Sequence, residues 1–212
     1  MWALIKDNKI EQIYQRPKSL VLGEVRYPSN MFTKYTDAEK AAIGIYPVED
    51  SGTKGNDRFE NTSSPTYTWS ASDKKVTTSY TITEKSLVDV EAKDEDGNNI
   101  LDEKGNKTYI YGLKTQAKNL AKQRANNYIK QFNWLVERSI YDSSKPIPDV
   151  VKTYVAAIKT DCANIETAID NASDMAAFKK LYEWEYNEDG SVKTVAPIQN
   201  WSDDYDVKQY VR

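Results

Sequence analysis

Apolar positions recur at three- and four-residue steps through Leu113, Ala117, Leu120, Ala121, Tyr128, Phe132 and Leu135. That is the period of one face of a long helix, and Lys and Arg occupy the other side. After Pro148 the same period resumes in Val151, Tyr154, Val155, Ile158, Cys162, Ile165 and Ile169. A proline near a helix start, with Asp149 in the first turn where a carboxylate meets the positive end of the helix dipole, predicts a second helix over about 148–170. Between the two, Asp142, Ser143, Ser144 and Pro146 are enough breakers to reverse the chain, so the helices are expected to pack antiparallel. The stretch from Asn133 to Tyr154 is then a joint, with Trp134, Arg138, Ile147 and Pro148 at its corner.

Upstream the period shortens to two. Trp2 to Lys6, a turn at Asp7-Asn8 and Ile10 to Tyr14 predict a hairpin, and Leu20 to Leu22 a further short strand. Thr36-x-x-Glu39 is a capping box opening a helix over 37–43 that Gly44 ends. Ile45 to Val48 return as a strand, which Pro47 would confine to a sheet edge. Residues 49–65 are polar, contain glycine and lack apolar anchors, so they read as a linker closing an N-terminal β-rich module, 1–48. Residues 66–112 hold β-formers in hairpin pairs: Tyr67 to Trp69 with Val76 to Ile82 around Ser70 to Lys75, then Val88 to Lys93 against Lys107 to Tyr111, projecting as an arm. Ser173 is expected to cap a short third helix over 174–182, closing a helical module 113–182. Residues 183–212 form a docking tail that carries Trp201, Tyr205 and Tyr210 among Asp203, Asp204 and Asp206. The expected fold class is therefore α+β: a small N-terminal β-rich module, central β-hairpins, and a C-terminal antiparallel helical hairpin plus a short third helix.

The 212 residues, 39% hydrophobic and 11% aromatic, allow one or two modest cores rather than a single large one. A net charge of −3 gives no reason to expect nucleic acid or an anionic membrane as partner. Apolar runs are too short to span a bilayer, and Met1 to Ile5 is not followed by the apolar region of a secretory signal, so synthesis and folding in a cytoplasm are expected. The absence of histidine removes His-based triads, His-ligated zinc and imidazole proton shuttles. The lone Cys162 lies on the apolar stripe and reads as a small hydrophobe. Asp94-Glu95-Asp96-Gly97-Asn98-Asn99 resembles a calcium loop, but the EF-hand spacing of Gly and Glu fails, which leaves a hairpin tip. Gly52-Thr53-Lys54-Gly55 lacks phosphate-loop spacing. Asp203, Asp204 and Asp206 could act as paired carboxylates, yet no pocket-forming pattern surrounds them. No catalytic, metal or cofactor-binding residue is expected. The candidates for partner binding are Trp134, Arg138, Trp201, Tyr205 and Tyr210. Trp and Arg are the types enriched at interface hot spots, although Trp134 can equally cover the end of the helical pair while Arg138 satisfies terminal carbonyls.

A long Ala-rich polar helix, then Asn133-Trp134-x-Val136-x-Arg138, then Ile147-Pro148-x-x-Val151-x-x-Tyr154-x-x-Ala157-Ile158, resembles the C-terminal helical module of bacteriophage tail assembly chaperone and tail-fibre assembly proteins. The resemblance covers roughly 113–182, although that family more often has Asp where Asn133 stands and Arg where Val155 stands. Such proteins often place an aromatic-led strand pair ahead of the module, echoed here by Trp69, Val76, Tyr80, Ile82 and Leu87. What the resemblance implies is a non-catalytic structural or attachment subunit in the virion tail. It would be made in a host bacterial cytoplasm and associate with tail-fibre or baseplate proteins in a multi-copy assembly. Two other readings compete: a tail-fibre assembly chaperone that binds the fibre during folding and then leaves, and a carbohydrate-binding receptor module using Trp201, Tyr205 and the nearby aspartates.

Overall fold

Strands β1 (Trp2–Lys6) and β2 (Lys9–Tyr14) pair across a turn in which Asp7 and Asn8 hold positive φ angles of 50° and 60°. This is the primed hairpin geometry whose twist matches the flanking strands, and Asx residues tolerate it. In the computed structural model, which describes residues 1–203 and 206–211, the hairpin starts the first of two compact units, Met1–Glu84 and Lys85–Arg212. The chain is α+β.

A short hairpin, β3 (Leu20–Leu22) with β4 (Val25–Tyr27), leads into α1 (Met31–Lys34) and α2 (Asp37–Ala42). The capping box of α2 is complete: Glu39 N donates to Thr36 Oγ1 at 3.3 Å, and Thr36 N donates to Glu39 Oε2 at 2.7 Å. Gly44 then turns the chain at φ +80°, and Ile5 N donates to its carbonyl at 2.7 Å. Next come β5 (Ile45–Glu49), β6 (Glu60–Thr62), β7 (Thr66–Ser70), β8 (Lys75–Ser79) and β9 (Ile82–Glu84). The main sheet runs β2-β1-β5-β8-β7, parallel only between β5 and β8, while β6 and β9 pair separately. One face packs Leu4, Tyr14 and Ile45 against Leu20, Met31 and Phe32, and the other gathers Ala3, Val48 and Val76 with Tyr67 and Trp69.

Pro47 does not put β5 at an edge, for β5 lies between β1 and β8. The proline is tolerated because Val48, not Pro47, donates to Met1 O (3.1 Å), and the ladder to β8 begins only at Val48. No hydrogen bond at Pro47 is therefore missing. The stretch 49–65, expected as a linker, lies inside the first unit and contains β6 and the buried Phe59. Asp50 Oδ1 accepts from Thr78 Oγ1 (2.7 Å) and from Tyr80 OH (3.0 Å). A side chain at Gly52 would place its first carbon 2.5 Å from the Tyr80 ring. Its glycine serves close approach rather than flexibility.

The second unit opens with an arm. Strands β10 (Val90–Glu91) and β11 (Tyr109–Ile110) pair as the sequence pattern predicts. The residues between them do not extend that hairpin but fold into a middle leg bridged at Lys93 with Asn99 and at Leu101 with Lys107. Ala92 N donates to Thr108 O, Thr108 N to Ile100 O and Ile100 N to Ala92 O, each at 2.9 Å, so three positions eight residues apart close a ring. Two successive Asp-x-x-Gly-Asn turns make this possible. Asp94 Oδ1 accepts from the amides of Asp96 and Asn98 (3.0 and 2.8 Å), and Asp102 Oδ1 from those of Lys104 and Asn106 (2.9 and 2.8 Å). Gly97 and Gly105 take the left-handed position at +85° and +81°.

Beyond the arm stand α3 (Leu113–Lys130), α4 (Asn133–Tyr141), α5 (Asp149–Asn171) and α6 (Met175–Lys180). Lys118 pairs with Asp170 (2.6 Å) and Lys122 with Glu166 (2.9 Å), so α3 and α5 run antiparallel as expected. The expected continuous first helix is broken at Gln131 and Phe132. Phe132 N reaches back to Ile129 O (3.0 Å) and Leu135 N to Phe132 O (2.9 Å), a local tightening that re-aims α4. Leu120 is off the buried stripe at 43% exposure, and Ala125 takes its place with Ala117 and Ala121. Asp174, not Ser173, caps α6, accepting from Ala177 N at 2.8 Å. The tail then forms a small hairpin, β12 (Glu185–Tyr186) with β13 (Val192–Thr194), followed by 3₁₀ turns at Pro197–Gln199 and Asp206–Tyr210.

Gly44→Ala combines a left-handed backbone with a first carbon 2.7 Å from Ile5 O, and we expect it to cost about 1–3 kcal/mol in urea denaturation. An unchanged midpoint would refute that account. Hydrogen bonds from Thr78 and Tyr80 hold the Asp50 carboxyl below its ordinary value of 3.8. Its contribution is therefore complete above the ordinary value and fades as pH falls through the lower folded value. The stability gap between wild type and Asp50→Asn should thus be constant from about pH 6 to about pH 5 and narrow in stronger acid.

Candidate interaction surface

The break after α3 lets Phe132 and Leu135 turn onto Val151 of α5 and Val207 of the tail, forming one buried cluster. The Phe132 and Tyr154 rings meet edge to face at 5.8 Å. Against this cluster Trp134 Nε1 donates to Tyr210 O at 3.0 Å, and the Arg138 guanidinium lies over the indole at 5.2 Å. Arg138 Nη2 reaches Pro146 O only at 3.5 Å, and its Nε is buried without an acceptor among the described residues. Beside it, the Ser144 hydroxyl, Lys145 and the Ser144 amide hold the Asp142 carboxyl below its usual range, which fixes the turn after α4.

The tail runs back along α5. Ile198 N donates to Leu181 O (3.1 Å), Trp201 packs on Tyr128 at 5.5 Å, and Ser202 N donates to Asp161 Oδ2 (2.7 Å). Ala196, Ile198 and Val207 are buried. Trp134, Arg138, Trp201 and Tyr210, the described members of the expected partner-binding set, thus gather at one end of the helices, where they bind one another and the helices. Tyr205 and Asp204 lie outside the described residues. The aromatic tail docks on its own chain.

What stays open is the other side of the corner. A groove of about 130 Å³ runs between α4 and the start of α5, with Ile129, Phe132, Val136, Ile147, Val151 and Val155 among its lining residues. Of these Val136 is exposed, and farther along α4 Ile140 is 73% exposed and Tyr141 is 91% exposed. The sequence pattern does not single out these three as candidates. It does carry a signal for them, since Val136 and Ile140 are one turn apart and off the stripe that carries Leu135.

A second open surface is the arm. Val90 faces Ile110 across the ladder, and the arm also carries Val88, in the bend before β10, and Ile100, on the middle leg. All four are exposed, and no residue from 88 to 111 is buried. The arm is nevertheless firmly rooted: Leu113 N and Lys114 N, at the start of α3, donate to Ser86 O (2.9 Å) and Leu87 O (3.1 Å). Gly112 passes so close that a side chain there would put its first carbon 2.3 Å from the Val88 carbonyl carbon.

Cys162 is half-buried and its thiol is pushed up by that burial and by Glu166, away from the thiolate a nucleophile needs. Asp94 and Asp102 direct their oxygens to turn amides. Among the described residues no group of three His, Cys, Asp or Glu could hold a metal ion, and no helix is long and apolar enough to cross a membrane.

Trp134→Phe removes the indole donor and should cost about 1 kcal/mol, while Val207→Asp places a carboxylate where only 2% of the residue is exposed and should release the tail. Amide hydrogen exchange over 206–211 is the measurement: protection lowered mildly in the first variant and lost in the second. Unaltered protection in Val207→Asp would mean that the valine is not the anchor.

Compared with models of known families, with curated proteins and with solved structures, the chain matches none of them.

Proposed function

We propose that this chain is a non-catalytic structural and attachment subunit of a bacteriophage tail, docking on tail-fibre or baseplate proteins and residing in the virion tail. One observation carries the proposal: the corner, closed from behind by its own tail, leaves Val136, Ile140 and Tyr141 exposed on α4, with Val136 lining an open groove. The largest exposed apolar patch of a protein is often its functional one. The helical module that bears this face is also the part that resembles tail-fibre assembly proteins. The carbohydrate-binding reading has less support, since Trp201 is engaged with Tyr128.

Capture by the neighbouring fibre or baseplate protein should weaken about tenfold or more in Ile140→Glu, because a charge then enters the apolar centre of the contact. Undiminished capture would place the recognition surface elsewhere. Mass spectrometry of purified particles completes the test. Stoichiometric recovery is the outcome expected of a subunit, whereas capture of the fibre protein with absence from particles would assign the chain to the departing assembly chaperones.

A further inference from the structure

Residues 206–211 lie over the helices as a short strap. Val207 is buried and Tyr210 half-buried, while Asp206, Lys208, Gln209 and Val211 are exposed. In the tight turn Asp206–Tyr210, side chains three apart lie on one side, so Val207 and Tyr210 meet the helices together. Phe132, Leu135 and Val151 take the valine, and the Trp134 indole donates to the main-chain carbonyl of Tyr210 at 3.0 Å. That hydrogen bond reads backbone, so any chain that brings a carbonyl there satisfies it. The strap does not fill its seat. A gap of about 190 Å³ stays open between Tyr128, Gln131, Phe132 and Tyr154 on one side and Val207 and Val211 on the other. The helix side of this gap is uncharged and mostly aromatic, and the charges that line it, Asp203 and Lys208, belong to the tail and pair with each other at 3.4 Å.

We propose that residues 206–211 are an autoinhibitory strap: the seat beneath them is a peptide-binding site, and a partner segment displaces the tail from it. The displacing segment supplies an aliphatic residue in the place of Val207 and an aromatic one in the place of Val211. This rests on the proposed docking function for its partner, the fibre or baseplate protein, and adds to it a second contact that is closed in the free chain. The tail itself shows what the seat accepts, since it is a short turn with one aliphatic knob and a main-chain acceptor. The open gap shows what the tail lacks, because an aromatic ring against Tyr128 and Tyr154 would occupy space that Val211, 44% exposed, leaves empty. A strap with a single buried side chain opens locally far more readily than the unit unfolds. Its tether returns it to the seat at high effective concentration, so the apolar residues stay covered until a better-fitting segment arrives.

A fluorescein-labelled peptide of residues 203–212 is the probe, read by fluorescence anisotropy against the whole protein. Full-length Val207→Asp, its fold checked by circular dichroism, should bind the peptide at least about tenfold more tightly than the wild type, whose attached tail competes. The peptide carrying Val207→Asp should bind neither protein, and the peptide carrying Val211→Phe should bind several-fold more tightly than the unaltered one. Capture of the fibre or baseplate protein should rise several-fold in full-length Val207→Asp and fall again when the peptide is added in excess. The wild type gives a reading that does not depend on that variant folding. Amide protection over 206–211 should drop when the Val211→Phe peptide is present at about 1 mM, the scale of effective concentration of a tethered segment. Protection unmoved by the peptide, a folded Val207→Asp that takes up none, or capture that does not rise in that variant would each overturn the proposal. If capture weakens in Ile140→Glu yet is indifferent to Val207→Asp and to the peptide, the docking function stands and only the strap falls.

Discussion

The second unit depends on how Phe132 and Leu135 reach Val151. Helices α3 and α5 meet along a stripe where α3 supplies Ala117, Ala121 and Ala125 and α5 supplies Ile158, Ile165 and Ile169. Small residues on one helix let the other approach closely, but alanines bury little area and cannot by themselves close the end of the pair. Closure falls to the corner, where the two shortened turns around Phe132 swing α4 so that large side chains cover the seam. The ion pairs of Lys118 and Lys122 along the same seam are surface pairs that water and salt screen, so they set register more than stability. The tail finishes the work from outside, with Val207 as its apolar anchor and the carbonyl of Tyr210 meeting the Trp134 indole.

Glycine plays a consistent part in both units, and it is seldom the part of a flexible joint. Gly52 lies on the Tyr80 ring and Gly112 against the Val88 carbonyl at distances that leave no room for a side chain, and Gly55 sits tightly against Ile82 and Glu60. Gly44, Gly97 and Gly105 hold left-handed turns. Polar, glycine-bearing stretches here are fixed in place by backbone and carboxylate hydrogen bonds where apolar anchors are few. That lets an arm without a core of its own stand in a defined shape, which two or three unsupported strands in water would not do.

Much of this architecture is legible from period and punctuation. The Asp7-Asn8 turn, the Thr36 and Glu39 capping box, the strand pair around Ser70 to Lys75 and the α5 start at Pro148 follow from local rules acting over a few residues, and all are present. Long-range choices are not legible. Pro47 sits centrally because the register of β5 with both neighbours happens to need no hydrogen bond from it, and a register cannot be read from one strand. The break at Phe132 breaches no periodicity rule, since a helix pattern survives a local tightening. Trp134, Arg138, Trp201 and Tyr210 have the character of residues for a partner, yet they meet one another or their own helices, because residue type reports an appetite for contact without saying who supplies it. Val136, Ile140 and Tyr141 escape a sequence reading because stripes that do not align with a core look like noise until the core is placed.

Charge adds a constraint that the near-neutral total conceals. A net of −3 over 212 residues suggests a bland surface, yet charge is segregated within the second unit, acidic through the arm, basic along α3 and balanced at the corner. Much of the arm's acid is committed internally, with Glu91 on Lys107 and Asp94 and Asp102 in their turns. Asp89 accepts from Gly112 N at the root (2.8 Å), which leaves Glu95, Asp96 and Glu103 at the turn tips to act mainly on what approaches. At physiological salt such a field reaches only about 8 Å, so it steers only a partner already close by and selects orientation more than it adds affinity.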